Sequence, residues 1–263
     1  MKISIIGCGN IGRTIIKAIA DGVFDCEISG IFDVSREGFN QLPGNVRKKL
    51  NLNSKFAQDF NEFLSFDSEL VIEAASQKAV REYALPVLSS NKSLMVMSVG
   101  ALVDEELFEN MKNVAGKNKN KIYIPSGAIA GLDGVKAAKI AGLKKAELVT
   151  RKPPESLGIE SNCKKVLYEG PAGTAVKLFP KNVNVAAALS LTALGFEKTT
   201  VKIIADPGVE NNIHEIHIKG KFGKIKTVVE NVPSPDNPRT SYLASLSAIA
   251  MLKRITESVQ IGT

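Results

Sequence analysis

A glycine-rich turn near the N-terminus constrains the fold more than any other feature of this sequence. The apolar run from Lys2 to Ile6 is typical of a buried strand, and it leads into Gly7, Gly9 and Gly12 with the spacing G-x-G-x-x-G. Isoleucines then recur with helical spacing, which indicates a strand, a tight turn and a helix. Such a turn lets the backbone approach a pyrophosphate at the helix N-terminus, where the helix dipole favours negative charge.

A second predicted strand, Glu27 to Phe32, ends at Asp33, which lies 21 residues after Gly12. A carboxylate at this distance can accept hydrogen bonds from the ribose hydroxyls of an adenosine. The β-α-β unit therefore predicts dinucleotide binding. Asp33 would repel the 2′-phosphate of NADP, but Arg36 follows closely and could contact that phosphate. NAD is the preferred cofactor on this evidence, and NADP remains open.

Apolar strands alternate with helical segments through the first half of the chain, which favours a parallel sheet whose ligand lies beyond the strand C-terminal ends. Small or polar residues stand at several of these ends, and together they can line a nicotinamide site. The alternative for each one is tight packing at a strand terminus. The strand-end candidates are Ala75, Ser76, Met97, Ser98 and Ala128.

From about residue 129 the pattern becomes less regular. The segments 201–207 and 213–232 alternate like antiparallel strands, with Gly220 and Gly223 flanking a turn. Helices are predicted for 182–194 and 242–255. The predicted fold class is α/β, a Rossmann-type doubly wound parallel sheet, followed by a second α+β domain with a mixed or antiparallel sheet.

His214 and His217 are the only histidines of the chain. Residues three apart in a strand point to opposite faces, so these imidazoles should not converge on a metal ion. The three cysteines, Cys8, Cys26 and Cys163, form no C-x-x-C pair, and we expect neither a metal site nor a disulfide framework. A reducing cytoplasm is the expected location. Either histidine remains a candidate general acid or base.

Composition excludes several classes of protein. The chain has 263 residues, enough for two domains, and 44% of them are hydrophobic, which is ordinary for a globular protein. Its net charge of +7 comes from scattered lysines, and it has no Trp and four Tyr. Nucleic-acid binding is not expected without a basic stripe and stacking aromatics. No apolar run reaches the roughly 18 residues that a membrane helix needs.

Six motifs resemble the L-aspartate dehydrogenase family, in order and over nearly the whole chain. They are IIGCGNIGR at 5–13, VIEAAS at 71–76, IPSGAIAGLDG at 124–134, LFPKNVNVAA at 178–187, ADPGVENNIHEI at 205–216 and ENVPSPDNPRTS at 230–241. The last four are far more specific than the glycine spacing. The resemblance implies NAD(P)-dependent oxidation of L-aspartate to iminoaspartate, which hydrolyses to oxaloacetate and ammonia or is used to make quinolinate for NAD biosynthesis.

The same resemblance assigns roles to individual residues. It selects His214 as the catalytic histidine, implies a homodimer, and divides the chain into a dinucleotide-binding domain, 1–128 with 236–263, and a catalytic and dimerisation domain, 129–235. Apart from the resemblance, the two substrate carboxylates need donors, for which we nominate Asn184, Arg239, Thr240 and Ser241. Cofactor contacts map to Asn10, Ile11, Asp33, Ala75, Ser76, Met97, Ser98, Ala128 and Asn184.

Two other functions remain open. The first is a related Rossmann reductase of the aspartate-semialdehyde or dihydrodipicolinate type, which only a substrate screen distinguishes. The second is a dinucleotide-sensing protein without catalysis, against which the presence of His214 argues.

Overall fold

The computed structural model describes residues 1–179, 184–235 and 237–262, with only the backbone for Pro238 and Arg239. The chain forms two compact units. The first comprises Met1–Pro125 and Ala248–Val259, and the second comprises Ser126–Ser247 and the chain end from Gln260.

The first unit contains a five-stranded sheet in the order β2-β1-β3-β4-β5, with all neighbouring strands parallel. Its elements are β1 (Lys2–Ile6), α1 (Asn10–Ala20), β2 (Glu27–Phe32), α2 (Glu37–Asn40), α3 (Gly44–Lys49), α4 (Phe60–Ser65), β3 (Leu70–Glu73), α5 (Gln77–Ser89), β4 (Ser93–Val96), α6 (Glu105–Lys117) and β5 (Ile122–Tyr123).

The sequence explains both the sheet and its first helix. Strands β1, β3 and β4 are almost wholly buried, as continuous apolar runs in a parallel sheet should be. In α1, Ile15, Ile16 and Ile19 face the core. Because β1 lies between β2 and β3, the chain direction across the sheet reverses at β1, and ligands of such sheets bind beyond the strand ends at that point.

The second unit contains a mixed sheet in the order β10-β9-β6-β8-β7. Strands β6 and β8 are parallel, and the other neighbours are antiparallel. Its elements are α7 (Leu132–Ile140), β6 (Leu143–Lys152), β7 (Lys165–Pro171), α8 (Ala172–Leu178), α9 (Asn184–Thr192), β8 (Thr199–Ala205), β9 (Asn212–Gly220), β10 (Gly223–Asn231), β11 (Pro233–Ser234) and β12 (Asn237–Ser241). The last helix, α10 (Tyr242–Thr256), begins in this unit and belongs to the first unit from Ala248 onward.

The two faces of this mixed sheet differ in burial. Alternate residues of β6 and β9 are buried, and helices α7, α8 and α9 pack beside these strands and β8. The intervening residues carry charges that remain partly exposed, among them Arg151 and Glu215, whose Nη2 and Oε1 atoms are 2.5 Å apart. We call the first the buried face and the second the open face.

The predicted fold class is confirmed, with local corrections. Strand β8 is not antiparallel throughout, because it runs parallel to β6 and antiparallel only to β7. Strand β7 and helices α7 and α8 were not predicted. The predicted helix 242–255 is confirmed by α10. The predicted start of the 182–194 helix lies outside the described residues, and its described part is α9.

The compact units differ from the predicted domain bounds, 1–128 with 236–263 and 129–235. The first crossing follows Pro125, and the chain returns to the first unit at Ala248. Residue 236 lies outside the described residues. The segment after it stays with the second unit because β12 pairs with β11 and Ser241 bonds to Asn212.

All three cysteines are free, and they differ in exposure. Cys8 and Cys26 are buried, whereas Cys163 is exposed. Burial, together with the nearby carboxylate of Asp33, raises the pKa of the Cys8 thiol to about 12. Burial also raises the pKa of Cys26. Both interior thiols therefore remain protonated at neutral pH, and protonated thiols are poor nucleophiles.

Candidate active site

The glycine turn after β1 packs too closely for side chains at two of its three glycines. Gly7 has a φ of +99°, and a Cβ there would lie 2.7 Å from the carbonyl oxygen of Ala74. A Cβ on Gly12 would lie 2.0 Å from the carbonyl oxygen of Gly7. By contrast, a Cβ on Gly9 would meet nothing closer than 3.9 Å. Gly7 and Gly12 are thus required by the protein's own packing, and Gly9 faces open space.

Helix α1 presents its N-terminus at this open space. Gly9 is its N-cap, no side chain caps it, and its first turn contains no acidic residue. Asn10 and Ile11 open the helix. Neither a capping side chain nor an acidic residue of the first turn therefore offsets the positive end of the helix dipole, and this arrangement fits a pyrophosphate.

Asp33 connects the glycine turn to the end of β2. Its Oδ2 accepts a hydrogen bond from the backbone N–H of Cys8 at 2.6 Å, and its Oδ1 accepts one from the N–H of Ser35 at 3.1 Å. The carboxylate is therefore fixed beside the turn, where it can accept ribose hydroxyls. The guanidinium of Arg36 lies over the ring of Phe56, 4.5 Å from its centroid.

A cavity of about 150 Å³ opens at the switch point of the parallel sheet. Gly7, Asp33, Ala75 and Ser76 all line it. The structure thus brings together predicted residues from the turns after β1, β2 and β3. The cavity lining is largely apolar and also includes the charged side chains of Asp33, Lys78 and Glu82. An open cavity of this kind fits an adenosine, so the first unit has the parts that a dinucleotide needs.

Glu73 organises the strand ends next to this cavity, and sequence reasoning missed it. It is the last residue of β3 and only 1% exposed. Its Oε1 accepts hydrogen bonds from the N–H groups of Ala75 and Ser76, both at 2.9 Å, and from the hydroxyl of Ser98 at 2.8 Å. Its Oε2 accepts the N–H of Ser98 at 2.9 Å.

The carboxylate of Glu73 therefore holds the turns after β3 and β4 together. Burial raises its pKa, and the hydrogen bonds from Ser98, Ala75 and Ser76 oppose that rise. Met97 lies in the same turn, buried, and its N–H donates to the carbonyl of Glu73 at 3.0 Å. An acidic residue ending an apolar strand was the available sequence signal.

His214 lies on the buried face of the mixed sheet, in β9, and is 2% exposed. It stands opposite Thr150 of β6, whose Oγ1 is 2.9 Å from the imidazole Nδ1. Burial and the charge of Lys152 lower the pKa of His214 to about 3. The imidazole is therefore neutral at physiological pH, as a proton acceptor must be.

His217 lies on the open face. Its Nε2 is 3.5 Å from Oε2 of Glu215, which also lies 3.4 Å from Nζ of Lys226. The predicted separation of the two histidines is confirmed. In the described part of the chain, no group of three or more His, Cys, Asp or Glu side chains is arranged to hold a metal ion.

A polar cluster extends from His214 along the buried face. Asn212 lies two residues away in β9, and its Nδ2 donates to Oγ of Ser241 at 3.4 Å. Asn231, opposite Asn212 in β10, donates to the carbonyl of Ala128 at 3.1 Å. The cluster thus joins Ala128 and Ser241 to the strand that carries His214.

Buried acceptors in this cluster remain available. The Oδ1 atoms of Asn212 and Asn231 are buried and have no hydrogen-bond partner among the described residues. Thr240 is partly buried, Asn184 is exposed at the start of α9, and the side chain of Arg239 lies outside the described residues.

No helix in the described ranges is both long and apolar enough to cross a membrane.

Both halves of the chain match known families. Residues 7–125 match the NAD-binding domain of homoserine dehydrogenase, and residues 133–255 match the C-terminal domain of aspartate dehydrogenase. The first match agrees with the glycine turn, Asp33 and the cavity at the sheet switch point. The chain therefore binds NAD(P) in its first unit.

Individual proteins match over full length. L-aspartate dehydrogenase of Methanosarcina barkeri is 47% identical, with 100% of both chains covered. That of Methanothermobacter thermautotrophicus is 44% identical, covering 100% of this chain and 99% of its own. The crystal structure of aspartate dehydrogenase from Thermotoga maritima is 32% identical with a TM-score of 0.82, covering 100% of this chain and 99% of its own. The chain belongs to the L-aspartate dehydrogenase family.

Proposed function

We propose that this protein oxidises L-aspartate to iminoaspartate with NAD(P) as the hydride acceptor, and that His214 is its catalytic base. The observation that carries the proposal is a neutral, buried imidazole held in a polar cluster of the unit that matches the aspartate dehydrogenase C-terminal domain. The proposed identity of the substrate comes from the relatives, which bear that name.

The chemistry requires a base before it requires a hydride acceptor. At neutral pH the amine of L-aspartate is an ammonium, and its nitrogen lone pair must be free before the Cα–H bond can leave as hydride. His214 takes one ammonium proton, the Cα–H electron pair departs, and a C=N bond forms. Water then adds to the imine carbon, and ammonia leaves to give oxaloacetate. The bound dinucleotide supplies the hydride acceptor.

The hydrogen bond at Nδ1 determines which imidazole nitrogen can act. Thr150 occupies Nδ1, and the structure gives Nε2 no hydrogen bond within the described residues. When Nδ1–H donates to the threonine hydroxyl, the lone pair of Nε2 is free to accept the substrate proton. A positioned base of this kind typically contributes about 10²- to 10⁴-fold to the rate.

The test is a substrate screen carried out once with NAD and once with NADP, and in the reverse direction with their reduced forms. Reduced nucleotide and ammonia should form in equal amounts from L-aspartate, and oxaloacetate with ammonia should be reduced in the reverse assay. Aspartate semialdehyde and dihydrodipicolinate should give no turnover. Turnover of either of these without turnover of L-aspartate would establish the reductase alternative. Nucleotide binding without turnover of any of them would establish the sensor.

We further propose that the protein is a cytoplasmic homodimer that supplies iminoaspartate to NAD biosynthesis. Three free cysteines suit a reducing compartment. A second copy would cover the open face of the mixed sheet, where Val228 is 55% exposed opposite Glu215. Sedimentation should give twice the chain mass, and Val228→Glu should shift it toward the monomer. A monomeric wild type would contradict the dimer.

The biosynthetic role has its own test. When the enzyme is coupled to quinolinate synthase and its co-substrate, L-aspartate should yield quinolinate. Accumulation of oxaloacetate alone would contradict this role, without affecting the proposed oxidation.

A further inference from the structure

A lysine occupies the buried face of the mixed sheet beside His214. Lys152 ends β6, two residues after Thr150 and on the same face, and is only 5% exposed. Thr150 in turn stands opposite His214 and bonds to it. Among the described side chains that β6, β8 and β9 place on this face, Lys152 is the one with a full positive charge at neutral pH.

The position of Lys152 breaks the pattern of its own strand. The earlier members of the same face in β6 are Ala146, Leu148 and Thr150, so burial would favour another apolar or small residue. Taking an ammonium group out of water opposes folding by several kcal/mol before compensation. Local departures of this kind concentrate at functional sites.

We propose that Lys152 binds a carboxylate of the dicarboxylic substrate, and that this ion pair removes the positive charge that otherwise opposes proton uptake by His214. This inference rests on the proposed oxidation of L-aspartate. The ligand class is a small dicarboxylate, because a buried ammonium group favours an anion that can also accept hydrogen bonds. Lys152 would thus act as a substrate-binding residue.

The charges around His214 support this coupling. From β6, Lys152 is the charged group that acts on the imidazole. The facing residue of β10 is Val229. Helix α9 has no ionisable side chain, and the charged residues of α7, Asp133, Lys136 and Lys139, are exposed. The ammonium of Lys152 lowers the pKa of His214 in the free protein. A bound carboxylate would offset that effect, so His214 would become a stronger base when substrate is present.

The test compares two substitutions at one position with a matched control. Lys152→Met removes the charge with little change in volume, Lys152→Arg retains it, and Lys144→Met makes the same exchange at an exposed position of β6. KM for L-aspartate, the inhibition constant of succinate and the Kd of NADH are measured for each. Lys152→Met should raise KM and the succinate constant about 10- to 100-fold, the range expected for a charged hydrogen bond.

The two other variants and the Kd of NADH distinguish a loss of substrate binding from a general disruption of the structure. Lys152→Arg should recover part of the affinity, and Lys144→Met should leave KM unchanged. The Kd of NADH should stay within about twofold in every variant, because the charge acts on the dicarboxylate. Unchanged KM and succinate inhibition in Lys152→Met would overturn the proposal. An equal loss of NADH affinity would overturn it too, because it would indicate general disruption.

The wild-type protein provides a second test that needs no turnover. Burial lowers the pKa of Lys152 to about 8, so succinate affinity should fall as the pH rises above that value. In a His217→Asn background, NMR titration of the remaining imidazole should show that succinate raises its pKa. A pH-independent succinate affinity, or an unmoved imidazole, would overturn the inference. Failure of the proposed function would instead appear as wild-type protein that binds succinate but does not oxidise L-aspartate.

Discussion

His214 and Asp33 have different environments although both are polar residues on strands or their ends. His214 is surrounded by protein and keeps a neutral imidazole at physiological pH. Asp33 is partly exposed, and backbone N–H groups hold its carboxylate at the edge of a cavity. The first environment keeps the imidazole unprotonated, so that its free lone pair could accept a proton, and the second would suit recognition of a ribose.

Replacement of His214 by Asn should reduce kcat at least about 100-fold, because the variant lacks a titrating base but keeps similar volume. NADH affinity, followed by nucleotide fluorescence, should remain unchanged. His217→Asn is the matched control, since His217 lies on the open face beside Glu215, and its kcat should stay within twofold of wild type. Equal effects of the two substitutions would remove His214 from the mechanism.

Replacement of Asp33 by Ser should increase the preference for NADP over NAD. In the proposed binding mode the carboxylate of Asp33 would accept the ribose hydroxyls of NAD and would repel the 2′-phosphate of NADP, whereas serine would do neither strongly. The ratio of kcat/KM for the two cofactors, measured at constant L-aspartate, should shift at least about tenfold toward NADP, on the order of one lost charged hydrogen bond. An unchanged ratio would place the adenosine ribose elsewhere.

Among the structural elements, those with strong local patterns could be predicted. Strand β1, helix α1 and strand β2 follow from an apolar run, three spaced glycines and helical recurrence of isoleucine. Strand β7 could not be found this way, because it is a sheet-edge strand with no fully buried residue. Helix α8 has only seven residues, which gives a weak helical pattern.

The residues of the candidate site likewise divide into those that could be predicted from the sequence and those that could not. The strand-end residues around the cavity follow from the rule that ligands bind beyond parallel strands. Glu73 ends an apolar strand, which was a local signal, but its hydrogen bonds to the turn after β4 are long-range contacts. The burial of Lys152 arises from tertiary packing, which its local sequence does not display. The parallel pairing of β6 with β8 is likewise a long-range contact.

In the turn after β1, Gly12→Ala should abolish nucleotide binding and destabilise the fold. The added Cβ would lie 2.0 Å from the carbonyl oxygen of Gly7, so α1 must move away from the turn. Overpacking of this kind costs about 1–3 kcal/mol. Gly116→Ala is the control, because a Cβ there, in helix α6, meets nothing within 4 Å. It should stabilise by about 0.5–1 kcal/mol. Urea unfolding measures the stability of both variants, and NADH titration measures their nucleotide binding. Retained NADH binding in Gly12→Ala would contradict the close packing proposed between α1 and the glycine turn.

At the ends of β3 and β4, Glu73→Gln should lower stability by about 1–3 kcal/mol, the penalty for an unmatched buried polar group. An amide supplies only one acceptor oxygen, so its NH₂ would face either the Ser98 N–H or the three donors at Oε1. Glu105→Gln, at the exposed start of α6, should change stability by less than about 0.5 kcal/mol. Urea unfolding measures the free energy of unfolding of both variants, and equal stabilities would contradict the role given to Glu73.

At the scale of the whole molecule, both units use the same device. Each places buried ionisable side chains at or near strand ends, Glu73 in the first unit and His214 with Lys152 in the second. Because these side chains are buried and ionisable, the stability of the entire chain must depend on pH.

The expected dependence is a loss of stability in acid. The pKa of His214 is about 3 in the folded protein against 6.5 when unfolded, so between these values the unfolded chain binds the extra proton. The free energy of unfolding should therefore fall below pH 6.5, by about 1.4 kcal/mol per pH unit from this group. Urea unfolding at pH 7 and 4.5 should show a smaller acid loss in His214→Asn than in wild type. Parallel losses would contradict the burial of a neutral imidazole.

The unequal exposure of the three sulfur atoms offers a practical gauge of folding. A maleimide dye should attach to the native chain once, at Cys163, because the thiols of Cys8 and Cys26 are enclosed and protonated. Unfolded chains would take up the dye at all three positions, so labelling stoichiometry alone could count opened molecules in a mixed sample.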